Sequence, residues 1–198
     1  MRTETTVITT TIYKFDELSD EAKEKFISEE REFEARTTLE ELVDCMKSAM
    51  DTMGIRVKDY SIDLDGSGYI NLSADCDDLE GVQAYKFIVN NFFSGVDKKK
   101  LYYKDWEKRR KSNLDRNDWM DNCPFTGGCY DCAVKDAWDV FCAELKSGGC
   151  PSVRDFLDEL ESHYLDEQNK EYYGFNEEDA RELAEANDYE FLEDGTIY

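Results

Sequence analysis

Proline occurs twice and histidine once in the 198 residues. So little proline, with no low-complexity run, gives no sign of a linker between domains. A single histidine, His163, means that any Cys–His or Ser–His nucleophilic pair has to be built on that one residue. No apolar run approaches the roughly 18 residues of a membrane-spanning helix. The N-terminal "MRTETTVITTT" lacks an uninterrupted apolar core, so a signal peptide is not expected. Neither G-x-S-x-G nor H-E-x-x-H is present, and no Gly-rich phosphate loop follows a strand. Positive charge is also scarce, with 24 Lys and Arg against 47 Asp and Glu, a formal net charge of −23. That balance opposes nonspecific association with nucleic acid and favours a basic partner. The absences together lead to the expectation of a cytoplasmic protein that is no enzyme, needs no cofactor and does not engage a membrane.

What is present suffices for a core: 40% of residues are hydrophobic and 13% aromatic. "TTVITTTIYKF" (Thr5–Phe15) is β-branched and reads as a strand. Ser19 is placed to cap a helix bearing Ala22, Phe26, Ile27 and Phe33. Thr38 and Glu41 form a capping box for a second helix, which Gly54 ends. A further helix is expected over 79–95, another over 133–149 with Val134, Trp138, Phe141 and Leu145 inward, and a long one after Ser152. Asn176 with Asp179 opens a short one. The final "YEFLEDGTIY" carries an Asp-Gly turn and needs a neighbouring strand to pair with. The sum is an α+β fold: a small, mostly antiparallel sheet made of the N-terminal strand, a central hairpin and the C-terminal strands, packed by five or six helices. Length favours a single domain, 1–198, with 98–132 as a basic, cysteine-rich insertion.

The central hairpin is read from "DLDGSGYI" (Asp63–Ile70), which resembles the start of an EF-hand loop. Asp63, Asp65, Ser67, Gly68 and Ile70 fit positions 1, 3, 5, 6 and 8. Position 12, which should supply a bidentate carboxylate, is Ala74. The flanks alternate with period two, so Tyr60, Ile62 and Leu64 share a face with Ile70, Leu72 and Ala74. A turn without calcium chemistry is expected.

Charge is unevenly spread. Residues 98–116, "KKKLYYKDWEKRRKSNLDR", hold nine bases against three acids and carry +6, leaving −29 on the rest. Lys98, Lys99, Lys100, Lys104, Lys108, Arg109, Arg110 and Lys111, interleaved with Tyr102, Tyr103 and Trp106, are candidates for nucleic-acid or partner contact. The bland alternative is a solvated helix paired with the chain's own acids. On the acidic side, Glu29, Glu30, Glu32 and Glu34, with Asp158, Glu159 and Glu161, are candidates for a surface that imitates spaced phosphates. Their bland alternative is an ordinary solvated helix face.

Seven cysteines are an odd number, which argues against a disulfide framework. Cys123, Cys129 and Cys132 form C-x5-C-x2-C, with Cys142, Cys150 or His163 as a fourth ligand for zinc. Zinc usually takes two tight pairs and only one exists here, so a metal is not favoured.

Three segments, "YKFDELSDEAKEKF", "CPFTGGCYD" and "NDYEFLEDGTIY", carry a resemblance in order and spacing across most of the chain. It resembles uncharacterised acidic proteins of phages and other mobile elements in Firmicutes-type bacteria, loosely labelled antitoxin-like. Cys123, Pro124, Thr126, Gly127 and Cys129 fit the pattern, whereas Cys132 departs from it. The resemblance implies no catalytic residues. It implies an inhibitor of a host defence effector, anti-CRISPR proteins included, that binds stoichiometrically to a basic nucleic-acid-binding protein. The alternative is an antitoxin-like regulatory binder whose basic segment touches nucleic acid directly.

Overall fold

The computed structural model describes residues 9–94, 102–104, 110–112, 125–126 and 130–198. They form five α-helices and short antiparallel strand pairs, an α+β arrangement. Where length suggested one domain, the chain divides into two compact units, residues 1–36 with 171–198 and residues 37–170. Two separate clusters of buried side chains underlie the division.

The longest helix, α1 (Asp20–Met53), begins where Ser19 accepts the Ala22 amide at 3.2 Å. It absorbs both of the helices expected from sequence. No Gly or Pro lies between Asp20 and Met53, so nothing interrupts the backbone ladder at Thr37–Thr38. The Thr38–Glu41 capping box is therefore unused. Each half of α1 buries its own stripe. Ala22, Phe26 and Ile27 enter the first core, while Leu42, Met46, Ala49, Met50 and Met53 enter the second.

In the unit of residues 37–170, β1 (Arg56–Ile62) pairs antiparallel with β2 (Gly68–Ser73), with Tyr60 opposite Ile70 and Ile62 opposite Gly68. The expected face is found, since Ile70, Leu72 and Ala74 are buried, but the alternation ends at Ser73, which is buried too. After the hairpin, α2 (Gly81–Phe87) widens into a π turn over Ile88–Phe92. A second short hairpin joins β3 (Tyr102–Lys104) to β4 (Arg110–Ser112). Then come α3 (Asp131–Lys146) and α4 (Val153–Gly174), the latter opened by a reciprocal Ser152–Asp155 cap. Phe93, Trp138, Phe141 and Phe156 interlock edge to face and stacked, with ring centroids 5.1 to 6.4 Å apart. Burying each such ring stabilises the fold by on the order of 2 kcal/mol.

The other unit has a smaller core. Phe15 and Leu18 at a 3-10 turn (Phe15–Glu17), Phe26 of α1, and Ala180 and Ala184 of α5 (Glu177–Ala186) surround Phe191. The Asn176–Asp179 capping box that opens α5 is formed as expected. The terminal strands are reduced to single bridges. Tyr13 pairs with Phe191, and Phe191 with Ile197. Residues 5–8 of the expected N-terminal strand lie outside the described residues.

Candidate functional site

The "DLDGSGYI" turn is held by both backbone and side-chain hydrogen bonds. The Asp63 amide donates to the Ser67 carbonyl at 2.8 Å, and the Ser67 hydroxyl donates to the Asp63 carboxylate at 3.3 Å. The Ser67 amide donates to Asp65 Oδ1 at 2.9 Å, and the Ser67 side chain together with that amide lowers the Asp65 pKa. From α4, Gln168 and Asn169 donate to the carbonyls of Leu64 and Asp65, both at 2.9 Å. The motif is a hairpin turn docked on a helix.

The two acidic clusters differ in how they are partnered. Glu29, Glu32 and Glu34 on α1 are exposed and make no ion pair among the described residues. Glu30 between them is half-buried, and its pKa is raised by that burial and by the nearby Glu34 and Glu29. Carboxylates at i and i+4 repel across one helical turn, so this cluster costs the free chain stability.

On α4 the cluster is already engaged. Arg154 is bonded to both Asp158 and Glu161, and donates to the Leu72 carbonyl at 2.7 Å. Glu161 in turn accepts the Leu72 amide at 2.7 Å. Arg154 and Glu161 thereby satisfy both backbone groups of Leu72 on the outer edge of β2, as a further strand would. Glu159 lies 3.7 Å from His163 Nε2, a buried nitrogen that makes no hydrogen bond among the described residues. Sequence reading took the three acids as a solvent-facing set and missed Arg154. Its spacing from Asp158 and Glu161, i+4 and i+7 on one helix face, was the available signal.

Of the basic candidates, Lys104, Arg110 and Lys111 lie on the β3–β4 hairpin, with Lys104 opposite Arg110 and Tyr103 opposite Lys111. These two stretches are strands, not parts of the helix considered as the bland alternative. Lys98, Lys99, Lys100, Lys108 and Arg109 lie outside the described residues.

Cys123 and Cys129 also lie outside the described residues. Cys132, in the first turn of α3, is partly buried. Burial, with Glu167 and Asp136 adding negative charge, pushes its thiol up to about 12. Beside it Asp131, almost completely buried, accepts the amides of Phe125 at 2.8 Å and Thr126 at 3.1 Å, and the Thr126 hydroxyl at 2.9 Å. Asp131 is the organiser of this loop that sequence reading overlooked; an Asp at the first turn of a helix is a usual acceptor for backbone amides. Among the described residues, no group of three or more His, Cys, Asp or Glu is placed to hold a metal ion.

No family model, curated protein or solved structure matches the chain. The mobile-element resemblance therefore rests on its three segments alone. Among the described residues, no helix is long and apolar enough to cross a membrane.

Proposed function

We propose that this chain is a stoichiometric inhibitor that places a carboxylate-covered surface in the nucleic-acid groove of a basic defence effector. The observation that carries the reading is where the charge lies. The unit of residues 1–36 and 171–198 holds 20 acids and 7 bases in 64 residues, −13. The unit of residues 37–170 holds 27 acids and 17 bases in 134 residues, −10. Negative charge per residue is more than twice as dense in the first. That same unit carries Glu29, Glu32 and Glu34, which make no ion pair among the described residues. A cationic groove would relieve their mutual repulsion, and charge complementarity of this kind speeds encounter and sets specificity.

The test is capture of the effector from a defence-proficient bacterium, followed by titration of its nucleic-acid-directed activity. The expected result is a sharp endpoint at one or two chains per effector, competition with the effector's own DNA or RNA, and weakening in Glu29→Lys/Glu32→Lys/Glu34→Lys. Full inactivation by a small fraction of an equivalent would mean turnover and would end the reading.

A second reading is favoured by the β3–β4 hairpin, which brings Lys104 opposite Arg110. In it the chain is a regulatory binder that touches nucleic acid through that hairpin. It requires a mobility shift with DNA or RNA that weakens steeply with salt. No shift at low salt excludes it.

A further inference from the structure

Within the unit of residues 1–36 and 171–198, a cleft of about 250 Å³ opens between the 3-10 turn and the C-terminal half of α5. Its apolar lining comes from Phe15, Ala184 and Tyr189. Phe15 and Ala184 are buried and Tyr189 half-buried, so the cleft is smooth and hydrophobic at its base. The remaining lining groups are charged. Two cations and three acids are present, Lys14 and Arg181 with Asp16, Glu185 and Asp188.

Both cations are committed. Lys14 Nζ lies 2.7 Å from Asp188 Oδ1, and Arg181 Nε lies 2.9 Å from Asp16 Oδ1. Arg181 reaches Glu178 as well, at 3.0 Å. Glu185 makes no ion pair among the described residues, and its side chain is exposed. Asp188 holds a left-handed backbone, φ +52°, just past the end of α5, and its carboxylate is 93% exposed. The cleft thus combines an apolar base, an aromatic wall and a surplus of one negative charge at its rim.

That combination selects a ligand with an apolar stem and a cationic head. A free anion is opposed by the surplus charge, and an uncharged apolar group leaves Glu185 without a counterion. An arginine or lysine side chain matches both features, because it buries its methylenes along apolar surface while keeping its charge at the edge. Arginine fits better, since its planar guanidinium can pair with Glu185 and lie against an aromatic face. We propose that this cleft is a socket for a single arginine or lysine side chain presented by a basic protein partner. The proposal rests on the acidic-binder reading above and names one of its contact points.

The test uses the full-length chain and two probes, N-acetyl-arginine amide and a hexa-arginine peptide. In amide-resolved NMR at low salt, N-acetyl-arginine amide should give saturable shifts centred on Ala184, Glu185, Asp188 and Tyr189. N-acetyl-glutamine amide at the same concentration should not. Glu185→Gln should weaken hexa-arginine binding about threefold, as expected for one exposed charge pair. Glu182→Gln, on the same helix but outside the cleft, should change it far less. Glu185→Arg should abolish the local shifts while leaving the rest of the spectrum in place. If Glu182→Gln and Glu185→Gln weaken the peptide equally, or the arginine shifts spread evenly over all acidic positions, the socket is wrong and the acidic-binder reading survives. If hexa-arginine does not bind even at low salt, both fail.

Discussion

At the scale of single residues, the five cysteines among the described residues separate by environment. Cys76 and Cys150 are exposed, whereas Cys132 is partly buried among acids with its thiol pushed up to about 12. Thiolate is the reacting species, so at pH 8 almost none of Cys132 is reactive. Iodoacetamide followed by peptide mapping should label Cys76 and Cys150 well before Cys132, and denaturant should remove the difference. Early labelling of Cys132 in the native protein would contradict its placement. Asp131 illustrates why part of the candidate site was illegible. An acid is common in the first turn of a helix, and nothing local says that this one is buried with a loop folded onto it. The same applies to Asp158 and Glu161. Their negative charge is plain in the sequence, but the tie of Glu161 and its partner Arg154 to Leu72 requires knowing that β2 lies against α4.

At the scale of elements, starts were legible and fusions were not. Ser19, Ser152 and Asn176 all begin helices, because a cap is a contact between residues two or three apart. The merging of two expected helices into α1 has no comparable local sign. A capping box is only an offer, and Thr37–Thr38 stay helical where packing on both sides continues. Hairpin chemistry was legible for the same local reason. Gly66 sits at φ +78°, and a Cβ there would stand 2.5 Å from the Asn169 amide nitrogen and 2.6 Å from the Leu165 carbonyl oxygen. Gly66→Ala therefore meets both a strained backbone and α4 itself. It should cost about 2 to 4 kcal/mol in urea unfolding. Wild-type stability should be the same with millimolar calcium as with chelator, because Ala74 stands where a calcium loop needs a bidentate carboxylate. A calcium-dependent rise in the unfolding midpoint would refute that account.

At the scale of the whole molecule, −23 is a strain on the folded state as well as an attraction for a partner. Like charges held within a compact body repel, and salt with a Debye length of about 10 Å at 0.1 M screens them. The melting temperature should rise by several degrees between 10 mM and 500 mM sodium chloride, while affinity for hexa-arginine falls over the same range. A melting temperature that falls with salt would mean that the internal ion pairs, such as Arg181 with Asp16 and Lys25 with Asp194, outweigh the repulsion. The division of the chain has one more consequence, in time. Residues 37–170 are contiguous and can close their core as soon as they have been synthesised. Phe15 and Phe26 must wait for Ala180, Ala184 and Phe191. At roughly 5 to 20 residues per second that is a delay on the order of ten to thirty seconds, during which residues 1–36, with ten acids against six bases, have no core of their own. Of the two units, that of residues 1–36 and 171–198 is therefore the later to close its core.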